Sequence, residues 1–403
     1  MNEFWIDAYR GFFKNRKILL GVTGSIAAFK AVDLVRILKK CGAEVKVILT
    51  ESAEHFVTPL TLETLSENPV YQSLWGTPGS PMNHIELARW ADLILVAPAT
   101  ANTLAEMAQG LGQSLLTTEL LAAKAPVFIA PAMNPTMYAH PATQSNLSKL
   151  ISYGYTLLSP VHGTAACGDE GVGRMMEPLD LLEHCAGAFC EKGKQKSLLI
   201  NLGPTRSYLD PVRYFTNRSS GKMGSALAFA AVQAGYHVHV IAGPTQVPLP
   251  RLAQISRVST TDEMAGAVLE AFPRCDLFFS TAAVLDIEFE HYSEQKIKKD
   301  RIDGAIPVSP TVDILKAVGE MKTKDQFILG FAAETENFIQ NAKKKLKNKN
   351  CDAVFVNPVQ EQGSGFEGDL NAGFLVTDSK IQEFKTQNKH ELAFHLIQAL
   401  ELD

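Results

Sequence analysis

An asparagine fenced by two prolines and two methionines is the side chain here most suited to fixed chemistry. It is Asn134, in Pro131-Ala132-Met133-Asn134-Pro135-Thr136-Met137-Tyr138. Its amide offers donors and an acceptor at one place, and the methionines offer adaptable apolar walls. Upstream, His84 in Met82-Asn83-His84-Ile85-Glu86-Leu87 reads as a structural histidine or as a base working near neutral pH. Downstream, Cys167 sits among the glycines of Gly163 to Arg174, a composition that suggests a mobile lid able to close over a site and exclude water. In the second half, Asp210 to Gly224 masses Arg, Asn, Ser and Gly ahead of a helical pattern, which suits phosphate or acyl-phosphate oxygens. Lys296-Ile297-Lys298-Lys299 and the lysine run Lys343 to Lys349 read as solvated faces or as ammoniums that neutralise a triphosphate.

The Asn134 segment follows the apolar run Ala125 to Ala130, a buried strand, and open α/β sheets bind ligands at strand ends. Lys17 to Ser25 reads as a strand entering a glycine turn, with an apolar-periodic helix from Ile26 to Lys40 and a strand from Glu44 to Thr50 behind it. Gly21-Val22-Thr23-Gly24-Ser25 is then an anion cradle or simply a tight turn. It lacks the GxGxxG spacing of a dinucleotide fingerprint. Pro98 to Thr103 adds hydroxyls and an amide on the same rim. The opening recurs downstream: strand and turn over Ser197 to Thr205, helix from Lys222 to Ala234, strand from Tyr236 to Ala242. Further strands are expected over 92–97, 127–130, 155–158, 277–280, 327–331 and 353–357. Helices are expected over 104–109, 178–189, 335–348 and 389–400, with a hairpin-like stretch before the last. This alternation predicts two doubly wound, Rossmann-like α/β domains. They span residues 17–190 and 197–403, with a charged linker at 191–196 and an N-terminal extension over 1–16.

At 403 residues, 46% hydrophobic and 20% charged, the chain is long enough for two ordinary cores. A net charge of -5 leaves no broad cationic field, which argues against nucleic acid as the main partner. No apolar run approaches the roughly 20 residues that span a bilayer, and residues 1–17 do not have the make-up of a signal peptide. Six scattered cysteines without a CxxC pair match cytoplasmic usage rather than a disulfide framework or a zinc site.

Taken in order, His84, Asn134 in its Pro131–Tyr138 segment and Cys167 on its lid resemble the flavin-dependent cysteine decarboxylases. The resemblance covers roughly Lys17 to Phe189, with Tyr138 standing where Trp is common. It implies a flavodoxin-like domain that binds FMN across Gly24, Ser25, Thr50, Ser52, Thr100, Asn102 and Ala132. It implies flavin oxidation of a cysteinyl substrate to a thioaldehyde, loss of carbon dioxide to an enethiolate, and return of hydride while Cys167 supplies the proton. His84 would serve oxidation and decarboxylation, and Asn134 would grip the departing carboxylate.

From Ser197 to Asp403, the Asp210–Gly224 segment, Ala282-Ala283-Val284 with Asp286, Lys296 to Lys299 and Gly330 to Thr335 resemble the bacterial phosphopantothenate–cysteine ligases. That implies activation of 4'-phosphopantothenate by CTP with Mg2+ as an acyl-cytidylate, then attack by the amine of cysteine. Lys296 would serve activation and Asn217 the acyl-cytidylate and its conversion. Ala282, Asp286, Lys296, Phe331, Lys345 and Lys349 would meet the nucleotide. Leu285 and Ile287 to Glu290 depart from the family's usual run around that Asp.

Together the two resemblances imply consecutive steps of coenzyme A biosynthesis. The second domain makes the 4'-phosphopantothenoylcysteine that the first converts to 4'-phosphopantetheine. They also imply a homo-oligomer of trimeric decarboxylase and dimeric ligase domains, together a dodecamer. Two other readings stand beside this one. An NAD-dependent oxidoreductase needs a full glycine fingerprint with an acidic ribose ligand, which neither half shows. A flavoprotein that only binds partners is opposed by the presence of His84, Asn134 and Cys167 together.

Overall fold

The computed structural model describes residues 2–75, 83–190, 196–298, 305–358 and 368–402, with the backbone alone for residues 2, 83 and 84. The chain divides into two compact units, Met1–Phe189 and Cys190–Asp403. No helix among the described residues is long and apolar enough to cross a membrane.

The first unit is built on a six-stranded parallel sheet. Its strands, in spatial order, are Val70–Tyr71, Glu44–Leu49, Lys17–Val22, Leu93–Ala99, Val127–Pro131 and Thr156–Leu157. Numbered along the chain this is the order 3-2-1-4-5-6, whose direction reverses between Lys17–Val22 and Leu93–Ala99. Strands buried on both faces are near-continuous apolar runs, and all seven residues of Leu93–Ala99 are buried. The first six residues of the second unit's opening strand show how one strand feeds two layers. Leu198, Ile200 and Leu202 enter one core cluster and Leu199 the other, the period of two that a pleated strand imposes.

The second unit repeats the same winding and then extends it. Its sheet runs Gln254–Arg257, His237–Ala242, Ser197–Leu202, Leu277–Ser280, Phe327–Glu334, Ala353–Pro358, Leu370–Thr377 and Ile381–Asn388. The first six are parallel and the last two form the antiparallel end. Phe327–Glu334 runs three residues past the expected end, so the helix behind it begins at Phe338 rather than Thr335.

Two sequence readings need correction. Residues 2–16, read as an extension, carry the helix Asn2–Ala8 and bury Tyr9 and Phe13 completely. These rings, four residues apart, pack into the unit, with Phe13 meeting Phe189 edge-on at 5.9 Å. The glycine-rich loop after Leu158 is a hairpin, Val161–Thr164 paired with Glu170–Arg174, and only residues 165–169 form its open tip.

Candidate active sites

Because successive parallel strands end on one side of the sheet, the loops after them share a rim. Gly24, Ser25, Thr50, Ser52, Thr100, Asn102 and Ala132 follow four different strands and line one cleft of about 560 Å3. Thr23, buried beneath it, ties two strand ends together: its hydroxyl donates to Pro98 O at 2.7 Å and accepts from Thr100 N at 3.0 Å. Thr100 then caps the helix Ala101–Gln109 by accepting from Thr103 N. A Cβ on Gly24 would stand 2.5 Å from Ser52 Cβ, so only glycine lets these two loops approach.

Asn134 caps the short helix Pro135–Ala139, its Oδ1 accepting from Thr136 N at 2.8 Å. The amide nitrogen is thereby aimed at the hairpin tip. It donates to Cys167 Sγ at 3.2 Å and to Asp169 Oδ2 at 2.5 Å. Cys167 is exposed at that tip. The hairpin is seated on the Asn134 loop by Met133 N donating to Gly173 O at 3.0 Å. Lys30 holds its far end, donating to Met175 O and pairing with Glu177. Met133 also lines the cleft, so Asn134 and Cys167 adjoin the rim residues. His84 lies in the first turn of the helix Asn83–Trp90; its side chain is outside the described residues.

In the second unit a cleft of about 650 Å3 is lined by Asn217, Ala282, Asp286, Phe331, Lys345 and Lys349, among others. Asn217 Nδ2 donates to Ala283 O and Val284 O, joining the Asp210–Gly224 loop to the turn after Leu277–Ser280. That turn is held from below by the fully buried Asn201, whose Oδ1 accepts from Thr281 N and Ala282 N. The lysine run resolves by helical register. Lys345 and Lys349, four apart, face the cleft, while Lys343, Lys344 and Lys347 are exposed. Burial pulls the Lys345 ammonium below the usual lysine range, and it donates to Phe331 O at 2.5 Å. Lys349 pairs with Asp313. Lys222 and Lys389 stand on the same wall; burial, with the like charge of Lys222, pushes Lys389 down to about 8.

Lys296 is not brought to this lining. It is exposed, and the residue after it is latched elsewhere: Ile297 N donates to Asp210 Oδ2 and Ile297 O accepts from Arg213 Nη2. Lys299 lies outside the described residues.

The chain matches the Flavoprotein family over residues 8–189 and the DNA/pantothenate metabolism flavoprotein C-terminal domain family over residues 193–402. Relatives named Coenzyme A biosynthesis bifunctional protein CoaBC align along nearly its whole length. That of Vibrio vulnificus is 44% identical over 390 residues, 96% of this chain and 97% of its own. That of Bacillus subtilis is 43% identical over 393 residues, 96% and 97% respectively. That of Escherichia coli is 42% identical over 363 residues, 89% of each. The chain belongs to the bifunctional coenzyme A biosynthesis family.

For a member of this family the first cleft should admit a flavin nucleotide, and its make-up fits one. Its volume lies within the range of about 300–1,000 Å3 usual for small-molecule sites. Gly24 lets its loop close against Ser52, and the hydroxyl-bearing residues Ser25, Thr50, Ser52 and Thr100 gather on one rim beside it. Met133 and Met137, read from the sequence as apolar walls, line this rim, whereas sequence reasoning missed Gln113 and Ser114 there and Asp169 beside Cys167. Asp169 stood inside a segment already singled out; Gln113 and Ser114 carried only the signature of a helix cap.

Proposed function

We propose that the second unit joins cysteine to 4'-phosphopantothenate at the expense of CTP, and that the first decarboxylates the resulting 4'-phosphopantothenoylcysteine to 4'-phosphopantetheine. The observation that carries the reading is the contact of Asn134 with Cys167 beside a flavin-sized cleft. An amide that can orient a carboxylate and a thiol that can hold a proton are the two groups a decarboxylation followed by protonation requires.

When bound, FMN supplies the two-electron oxidation and its reversal that make the carboxylate able to leave. The backbone at Gly24 and Ser25, ahead of the helix Ala28–Lys40, would hold its phosphate, and Thr50, Ser52, Thr100, Asn102 and Ala132 would hold the rest. Asn134 orients the substrate carboxylate. Cys167 keeps a proton at Sγ for the carbon that has lost its carboxylate, and the hairpin tip keeps water away. His84 serves the earlier stage.

In the second cleft Ala282, Asp286, Phe331, Lys345 and Lys349 receive CTP, and Asn217 serves the acyl-cytidylate. Lys296 reaches the activated carboxylate from the exposed segment latched at Ile297. Among the described residues no cluster of three or more His, Cys, Asp or Glu side chains stands ready for a metal. Mg2+ would therefore arrive on the triphosphate oxygens with its waters and one or two carboxylates, its usual mode.

We further read the protein as a cytoplasmic homo-oligomer, with trimeric decarboxylase and dimeric ligase units forming a dodecamer. Exposed Ile26, Phe29, Phe56 and Leu60 in the first unit, and Val212, Tyr214 and Phe215 in the second, support such contacts. Incubation with 4'-phosphopantothenate, cysteine, CTP and Mg2+ should release pyrophosphate and then carbon dioxide from a yellow protein. Failure to release either would sink the reading.

A further inference from the structure

Every polar atom of the Asn134 side chain is already engaged. Its oxygen accepts from Thr136 N, and its nitrogen donates to Cys167 Sγ and, at 2.5 Å, to Asp169 Oδ2. Cys167 Sγ in turn lies 3.5 Å from the same carboxylate oxygen. A carboxylate thus sits on the amide that the reading above assigns to the substrate's carboxylate. The placement is built in. Gly173 is seated against Met133, with a Cβ there only 2.4 Å from Met133 O, and the tip closes on itself through Ala165 N donating to Asp169 O at 2.7 Å. Gly168, between Cys167 and Asp169, has φ +94, a left-handed conformation that glycine adopts without strain.

We propose that Asp169 is a positioning residue that holds the Asn134 amide until the substrate carboxylate displaces it, and returns when that carboxylate has gone. The two hydrogens of the Asn134 amide are both spent, on Cys167 Sγ and Asp169 Oδ2, and a second carboxylate brought to the same nitrogen would repel Asp169 at contact distance. Substrate therefore enters by evicting Asp169 from Asn134. Once evicted, Asp169 keeps its contact with the Cys167 thiol and orients the proton that Sγ carries. Loss of carbon dioxide removes the competing charge, Asp169 goes back to Asn134, and a product without a carboxylate has no hold there. The exchange favours entry of the acid and departure of the decarboxylated thiol. It rests on the reading that Asn134 receives the substrate carboxylate.

The test is equilibrium binding to the full-length flavin-loaded protein, by calorimetry, of two ligands. One is 4'-phosphopantothenoylserine, which keeps the carboxylate and has a hydroxyl in place of the thiol; the other is 4'-phosphopantetheine. Asp169→Ala should bind the serine analogue about tenfold more tightly and 4'-phosphopantetheine within about twofold of the native protein. Asp169→Asn, which removes the charge but can still accept from Asn134, should fall between. Unchanged affinity for the analogue, or an equal shift for both ligands, overturns the proposal. Asn134→Ala separates the two layers of the argument. If it fails to weaken the analogue, the carboxylate reading of Asn134 falls and this proposal with it. If it weakens the analogue while Asp169→Ala does not tighten it, only the exchange falls. Retention of the flavin absorption band by each variant shows that the site is folded.

Discussion

Replacing Gly173 by alanine should disconnect the hairpin from Asn134 while sparing the cofactor cleft and the second unit. The new Cβ would stand 2.4 Å from Met133 O, 3.2 Å from Pro135 N and 3.3 Å from Asn134 C, where ordinary contact begins near 3.4 Å. Relief of the worst clash needs about 1 Å of movement, 3.4 minus 2.4, and all three neighbours are backbone atoms that cannot rotate aside. The strand Glu170–Arg174 must then lift from the Asn134 loop, stretching the bond from Met133 N to Gly173 O and the 3.2 Å contact of Asn134 with Cys167. Overpacking of this kind costs about 1–3 kcal/mol, which a domain stable by about 5–15 kcal/mol survives. A 1 Å misplacement of reacting groups can cost about a hundredfold in rate. Decarboxylation of supplied 4'-phosphopantothenoylcysteine, followed as carbon dioxide release, should therefore fall about a hundredfold in kcat. The flavin band should persist, because Met133 is the one lining residue of the first cleft among the new methyl group's three nearest neighbours, and pyrophosphate release by the second unit should be unchanged. A flavin-loaded variant with kcat within about twofold of the native protein would refute the account of how the hairpin is held.

Three other outcomes follow from the same geometry. Cys167→Ser should still release carbon dioxide but accumulate the unsaturated enethiol, seen by mass spectrometry two hydrogens short of product; full turnover would remove Cys167 as the proton donor. Lys296→Gln should abolish pyrophosphate release and leave decarboxylation of supplied substrate intact, and loss of both activities would show that the residue matters to the fold instead. Glu119 is fully buried with neither carboxylate oxygen hydrogen-bonded, and burial pushes its pKa from 4.5 up to about 8. The native state then binds one more proton than the unfolded chain between those values, so stability falls as pH rises from about 4.5 to about 8 and is level above. At about 1.4 kcal/mol per pH unit the whole window is worth roughly 3–5 kcal/mol, and Glu119→Gln should flatten it in a pH series of thermal melts. A native protein whose Tm does not change across that window would contradict the burial argument.

How much of this could be read in advance differs from residue to residue for physical reasons. That Gly24, Ser25, Thr100 and Ala132 meet on one rim follows from parallel strands alone, since each ends on the same side of the sheet. The hairpin around Cys167 was not readable as strands, because Gly163, Gly171 and Gly173 erase the alternation that marks them. Asp169 could not be assigned a partner from sequence, since its contact with Asn134 joins residues 35 apart in the chain. Lysine composition left two readings for residues 343–349 until the register of the helix Phe338–Asn348 turned Lys345 and Lys349 to the cleft. Lys296 shows the opposite limit. Its segment is placed by Asp210, a buried carboxylate that the Arg213 guanidinium holds well below the usual range, and nothing local in Lys296 to Lys298 signals that latch.

The charges on the two linings argue that the clefts recognise phosphate by different means. The second presents Arg218, Lys222, Lys345, Lys349 and Lys389 against Asp286, Asp313 and Glu334, an excess of positive charge suited to the triphosphate proposed for it. Among the described residues the first cleft is lined by no lysine or arginine and carries Glu51 and Glu106. The groups this lining does offer a phosphate are backbone N–H groups and hydroxyls near helix starts, which bind a fixed monoester through geometry rather than through net charge. A resident cofactor that stays through many turnovers suits the second mode, whereas a nucleotide consumed at each turnover suits the first. On the proposed reading, the chain would separate retention from exchange by the cations it places in one cleft and not in the other.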